Sequence, residues 1–131
     1  QRKIGNILIK MDCKLKIVNC KFLVGFENHS GNTFLMNNAQ ALGHVIHGFG
    51  NNGQDKTEGC QINNAFGCYL HGPLLPKNPH FCDYLIQTAL SVKYRRQVKL
   101  TPLDDRLETQ ARAAAVKRTR KLHHPLLKYF Q

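Results

Sequence analysis

Four short segments of the 131-residue chain carry side chains capable of chemistry. Gly67-Cys68-Tyr69-Leu70-His71-Gly72-Pro73 sets a histidine at the end of a partly apolar run and follows it at once with a Gly-Pro turn. An imidazole held there on rigid backbone titrates near neutral pH, which suits a general base beside a thiol. A lone histidine is more often structural than catalytic. Gly25-Phe26-Glu27-Asn28-His29-Ser30-Gly31-Asn32-Thr33 gathers Glu, Asn, His, Ser and Thr behind an apolar run. Its plain reading is a turn held by side-chain-to-backbone hydrogen bonds. Arg2 stands just before a predicted strand, where a guanidinium can grip a carboxylate with two parallel bonds or remain a surface charge. The stretch 50–59 (Gly-Asn-Asn-Gly-Gln-Asp-Lys-Thr-Glu-Gly) has a phosphate-loop look, but no Gly-Lys-Ser/Thr opens a helix after it. A hairpin is the better reading.

The elements that must position these groups change character along the chain. Residues 4–9 and 22–27 read as strands, with the lysine-rich piece 10–21 between them as a hairpin arm. Residues 42–49 and 66–70 are further short strands, parted by the turn signal Gly50-Asn51-Asn52-Gly53. Asn78-Pro79 then opens a helix, the asparagine as cap and the proline at the first helical position. Phe81, Leu85 and Ala89, with Cys82, Ile86 and Leu90, give it an apolar face over 79–93. Thr101-Pro102 starts a second helix by the same device. Asp104, Asp105 and Glu108 near its start and Lys117, Arg118, Arg120 and Lys121 near its end complement the helix dipole. Leu103, Leu107, Ala111 and Ala114 form its narrow stripe. Strands followed by two helices imply an α/β or α+β piece. So few strands leave an edge or a face that other structure must cover.

Length allows one domain or part of one. No run approaches the roughly 20 apolar residues of a membrane span, and no secretory signal is visible. Net charge is +11, with six Lys/Arg against one acid in 1–24, two against four in 25–92, and eleven against three in 93–131. Basic ends attract phosphate through long-range field alone, which carries no specificity. Few aromatics interleave those charges, so no specific nucleic-acid site is expected. Cys13, Cys20, Cys60, Cys68 and Cys82 form an odd set without a C-x-x-C pair, read as reduced thiols in a cytoplasmic protein. His44 and His47 in an apolar run, and the wide Cys60–Cys68 spacing, do not make a zinc site. No metal site is expected.

A resemblance joins these segments. Arg-x-Ile-Gly-Asn at 2–6, the polar run 25–33, Leu-Gly-His-Val at 42–45, the run 50–59, Tyr-Leu-His-Gly-Pro-Leu-Leu-Pro-Lys-Asn-Pro at 69–79 and Pro-Leu-Asp-Asp-Arg-Leu-Glu at 102–108 carry it. Together they resemble the glutaminase subunits of lipid II isoglutaminyl synthases, in the cobyric acid synthase-like branch of class I glutamine amidotransferases. The likeness covers residues 1–118, leaving 119–131 as a basic tail. It implies the C-terminal half of a flavodoxin-like α/β domain.

The resemblance also implies a reaction. Such subunits hydrolyse glutamine, and a Mur-ligase-like partner uses the ammonia with ATP to convert the lipid II D-glutamate to D-isoglutamine in peptidoglycan synthesis. His71 matches the family's catalytic base, and Arg2 matches an arginine that binds the substrate glutamine. Glu27 and His29 fall in a motif near the active site. The family's nucleophile sits upstream in a Gly-x-Cys-Gly-Gly elbow, and none of the five cysteines here has those neighbours. The expectation is therefore a partial glutaminase that lacks its thiol, holds no cofactor of its own, and leaves ATP to the partner. Cys68 replaces a threonine of the family pattern, and segments 11–21 and 118 onward are unmatched. Two alternatives stand beside this reading: another cobyric acid synthase-type amidotransferase, or a non-catalytic remnant that binds anionic surfaces through its basic ends.

Overall fold

The structure, a computed structural model, describes residues 1–12 and 21–120. Most of the expected hairpin arm, with Cys13 and Cys20, and the tail from Lys121 lie outside the described residues. The element order is β1 (Lys3–Met11), β2 (Phe22–His29), β3 (Gly43–His47), β4 (Thr57–Glu58), β5 (Cys60–Ile62), β6 (Ala65–Gly67), α1 (Pro79–Tyr94) and α2 (Arg106–Arg120). This is the mixed α/β piece expected. Strand 66–70 ends early at Gly67, and the short β4 and β5 escape a periodicity reading because two or three residues hold no period.

A four-stranded sheet runs in the order β2-β1-β3-β4, and β5 pairs with β6. All pairings among these strands are antiparallel. β1 and β2 form the long ladder, from Lys3 opposite His29 to Lys10 opposite Phe22. The β1–β3 ladder slips by one residue between Leu8 and Ile9. Such a bulge bends the strand and strengthens its twist. Between β3 and β4 the chain turns through Gly50, whose φ is +69°. A Cβ there would stand 2.3 Å from the Thr57 carbonyl oxygen, so no other residue fits without rearrangement. Asn51 is buried in this turn, accepting from the Gly59 N–H and donating to the Gly59 carbonyl and the Thr57 hydroxyl.

Alternation along the ladder creates two packed faces. On one, Ile7, Ile9 and Leu23 meet Leu42, Leu70 and Phe81. Phe81 reaches this core from α1, with Phe66 edge-on to its ring at 5.9 Å. On the other, Leu8 and Val24 meet Val116 of α2, flanked by Phe22 and Ala115.

Both helices depart from their sequence expectation in what they bury. Asn78 does not cap α1 with its side chain. Its carbonyl accepts the Phe81 and Cys82 N–H groups, and its carboxamide turns instead to β2. Along α1 only Phe81 is fully buried, while Ile86 and Ala89 of the expected face are exposed. α2 begins at Arg106, not at Thr101-Pro102, with the Asp104 carboxylate accepting the Arg106 N–H. The expected stripe of Leu103, Leu107, Ala111 and Ala114 faces outward, Leu103 80 % and Leu107 76 % exposed. Arg112, Val116 and Thr119 face the sheet instead. Arg112 bonds the Phe22 carbonyl, and the buried Thr119 hydroxyl is satisfied by the Val116 carbonyl. The side of α2 that meets the sheet thus combines the Arg112 bonds with the packing of Val116 and Ala115 on Leu8, Val24 and Phe22.

This orientation has a measurable consequence. Val116→Ala should lower unfolding stability by about 1–2 kcal/mol, whereas Leu107→Ala should stay within about 0.5 kcal/mol of the parent. Urea denaturation of the two variants reads the difference; a larger loss at Leu107 would mean α2 docks by its leucine stripe after all.

Candidate active site

His71 is placed by backbone. Its N–H donates to the Phe26 carbonyl at 2.7 Å, and its carbonyl accepts the Phe26 N–H at 3.0 Å. This two-bond bridge adds one residue to the outer edge of β2. Residues directly opposite in an antiparallel bridge share a face, so the His71 side chain lies on the Phe26 side of the sheet. Its neighbour Leu70 goes the other way, into the core. The imidazole is exposed to solvent. Gly72 follows with φ +69°, the left-handed turn that glycine allows after the strand exit.

Arg2 stands one residue before the last β1–β2 pair, and its Nε donates to Asn28 Oδ1 at 2.8 Å. Asn28 alternates with Glu27 and His29, so Arg2, Asn28, Phe26 and His71 belong to one side of the sheet. Ile4, opposite Asn28, is 54 % exposed on that same side. α2 covers only the Leu8–Val24 end of this face.

Glu27 and His29 lie on the opposite face from His71. Glu27 is fully buried, and its two oxygens accept the N–H groups of Phe49 and Gly50 at 2.8 and 3.0 Å. The carboxylate therefore pins the β3–β4 turn to β2. His29 Nδ1 bonds the Gly31 carbonyl at 3.0 Å, and its Nε2 lies 3.9 Å from Glu27. Its ring stacks on Tyr69, centroids 3.6 Å apart and nearly parallel. Residues 25–29 of the polar run thus lie in β2 and not in a turn, and from there Glu27 holds the Phe49–Gly50 turn while His29 bonds locally to Gly31.

Tyr69 and Glu58 went unmarked in the sequence, yet both hold the approach to His71. The Tyr69 hydroxyl bonds Thr33 at 2.9 Å, and its N–H donates to Glu58 Oε1 at 2.6 Å. Glu58 is wholly buried, with Oε2 unpartnered among the described residues. Burial first, and then the Glu27 charge, raise its pKa to about 7 against the bond from Tyr69. Nothing in a Thr-Glu-Gly stretch signals this, because burial comes from distant strands.

Three cysteines fall among the described residues, none of them in a disulfide. Burial pushes the Cys68 thiol up, and burial with the neighbouring Asp83 and Asp105 charges pushes Cys82 up. Both shifts disfavour the thiolate that a nucleophile needs. Among the described residues no three His, Cys, Asp or Glu side chains gather as metal ligands, and no helix is long and apolar enough to cross a membrane.

The profile of the CobB/CobQ-like glutamine amidotransferase domain matches residues 1–79, a span that holds Arg2, Glu27, His29 and His71. The chain belongs to that family. Two relatives are the lipid II isoglutaminyl synthase (glutamine-hydrolyzing) subunits GatD. The Staphylococcus aureus protein is 40% identical over 119 residues, which is 89% of this chain and 44% of the relative. The Streptococcus pneumoniae protein is 42% identical over 86 residues, 66% of this chain and 33% of the relative. This amidotransferase chain spans less than half the length of either.

Glu58 gives the family fold here a pH signature. Its folded pKa of about 7 lies above the ordinary 4.5, so its contribution is whole below pH 4.5 and is lost as pH rises through 7. Glu58→Gln keeps the acceptor for Tyr69 and removes that titration. Relative to the variant, the parent should lose up to about 3 kcal/mol between pH 4.5 and 8. His80, depressed to about 4 by burial and the Arg112 charge, acts in the opposite sense and is common to both proteins. Urea unfolding across this range tests it; parallel pH curves would clear Glu58 of the role.

Proposed function

We propose that this chain forms the base-bearing part of a glutaminase that supplies ammonia for amidation of lipid II D-glutamate; its relatives are named as glutamine-hydrolyzing lipid II isoglutaminyl synthase subunits. The carrying observation is His71, exposed at the edge of β2 on rigid backbone and on the same side of the sheet as Arg2. Strand spacings of about 3.3 Å along and 4.8 Å across the ladder put the two Cα atoms roughly 16 Å apart. Two long side chains with an amino-acid substrate between them bridge that distance.

In this reading the thiol comes from polypeptide beyond the residues described, packed over the uncovered side near Ile4 and Phe26. His71 takes the thiol proton, and the thiolate attacks the glutamine carboxamide carbon. The carbon–nitrogen bond then breaks, with the His71 imidazolium returning the proton to the departing ammonia. A water, deprotonated by His71, attacks the thioester and releases glutamate and the thiolate. Backbone N–H groups beside the thiol hold each oxyanion. Arg2, its Nε already oriented by Asn28, presents the rest of its guanidinium to the substrate α-carboxylate. A Mur-ligase-like partner in the cytoplasm consumes the ammonia with ATP, so the chain itself needs no cofactor.

Three outcomes are expected in an ammonia-release assay with glutamine. The 131-residue chain alone shows no turnover, and robust turnover would place the nucleophile among its own cysteines. Joined to the thiol-bearing polypeptide, His71→Ala should lose about a thousandfold or more in kcat without unfolding. Arg2→Ala should raise the glutamine KM about tenfold with a smaller change in kcat, since its bond is made to bound substrate throughout. Unchanged KM would remove Arg2 from the binding site.

A further inference from the structure

The outer edge of β2 is closed by three unlike partners in succession. His71 pairs with Phe26 through its backbone. Two residues along, no described strand pairs with Val24 on this outer edge. The Asn78 carboxamide takes that place, its Oδ1 accepting the Val24 N–H at 3.0 Å and its Nδ2 donating to the Val24 carbonyl at 2.8 Å. A further two residues along, Arg112 bonds the Phe22 carbonyl.

A side-chain amide has the donor and acceptor pattern of a peptide unit, so Asn78 acts as one more rung of the ladder that His71 begins. Its remaining capacity is also used. Nδ2 donates to the Leu74 carbonyl at 2.7 Å, and Oδ1 accepts from Arg112 at 2.8 Å. An asparagine can make two donor and two acceptor bonds, and here all four are made in a site with no solvent exposure.

The chain between these anchors leaves β2 at His71 and returns at Asn78. Gly72 fits closely there, since a Cβ on it would stand 3.2 Å from the Phe26 Cβ. The Lys77 amine donates to the Gly72 carbonyl across the loop. The bond to Leu74 ties the middle of the loop to the same carboxamide. On the upstream side Glu58 holds the Tyr69 N–H. His71 is therefore held from both directions, downstream by the Lys77 bond to the Gly72 carbonyl and by the Asn78 carboxamide.

We infer that Asn78 is a positioning residue for His71, holding the catalytic imidazole in register by standing in for the next residue of a strand. The inference rests on His71 being the general base. Asn78 touches neither substrate nor thiol, and its effect is on the chemical step and not on glutamine binding. Removing it leaves the Val24 N–H and carbonyl unpaired and frees the loop to shift the His71 backbone. A displacement of about 1 Å in a reacting group costs on the order of a hundredfold in rate.

The test uses the full glutaminase including its thiol-bearing polypeptide, with ammonia release normalised to folded protein by circular dichroism. Asn78→Ala should lower kcat about a hundredfold with the glutamine KM within about threefold of the parent. Asn78→Asp keeps the acceptor for Val24 and Arg112 and gives up both donors; it should fall about tenfold in kcat, again with KM little changed. It also stands in if the alanine variant fails to fold. A purely structural residue would lower the melting temperature and leave kcat per folded molecule at the parental level, and that result overturns the inference. His71→Ala run alongside separates the two ideas. If it is inactive while both Asn78 variants turn over normally, only the positioning role fails. If it retains turnover, His71 is not the base and the positioning role goes with it.

Discussion

The register of β1 against β2 is the constraint on which the rest depends. A strand's side chains alternate with period two, so slipping one strand by a single residue would exchange everything its two faces carry. In the observed register Ile7 and Ile9 meet the core with Leu23, while Leu8 and Val24 meet α2. The same alternation sends Glu27 and His29 to one side and Asn28, Phe26 and Arg2 to the other. The apolar half of the ladder holds the register, because a slip of β1 would turn Ile7 and Ile9 away from Leu23 and the core they share. The polar half inherits its geometry without contributing much to that choice. Chemistry at one end of the sheet is thus positioned by hydrocarbon at the other.

Buried polar groups then join pieces that sequence separation keeps apart. Glu27 on β2 holds the N–H groups of Phe49 and Gly50, Glu58 on β4 holds Tyr69, and Asn78 holds Val24. Each joins two segments that no strand pairing among the described residues connects. An unpaired buried N–H costs about 1–3 kcal/mol, so such pins are retained even where a carboxylate must itself be desolvated. Glu58 displays the tension: burial raises its pKa to about 7 although a backbone N–H favours its charged form.

These pins also mark where sequence reading reached its limit. The long strands, the Gly50 turn and the start of α1 at Pro79 follow from local periodicity and turn residues, whereas the strand expected over 66–70 pairs with β5 and the partner of β3 is the two-residue β4, too short to show a period. The α2 stripe did not. Leu103, Leu107, Ala111 and Ala114 do lie on one side of a helical pattern, but a pattern cannot tell which side meets the sheet when Arg112 bonds the Phe22 carbonyl and Asn78 from the other. Asn78 itself was legible as a helix-start residue and illegible as a ladder rung, because its partner Val24 is 54 residues away in the chain. His71 and Arg2 stood out through motif resemblance; that they share a face became visible only with the β1–β2 register and the His71 bridge. Glu27 and His29, which the same resemblance set near the site, serve the loop on the other face.

Arg112 bonds β2 and Asn78, and Arg106 pairs closely with Asp104 just ahead of α2. Those charges organise the chain's own backbone and are poorly placed to track a phosphate strand. The uncovered surface of the sheet, by contrast, sets a half-exposed Ile4 beside Asn28 and Arg2, an apolar floor with polar groups at its rim. Covering such a floor excludes water, and excluding water strengthens every hydrogen bond and charge that the reaction uses. In the proposed glutaminase the segment that brings the thiol would therefore do more than supply sulfur. By packing on Ile4 and Phe26 it would dry the space between the guanidinium and the imidazole, so that completing the sheet and completing the catalytic site become the same event.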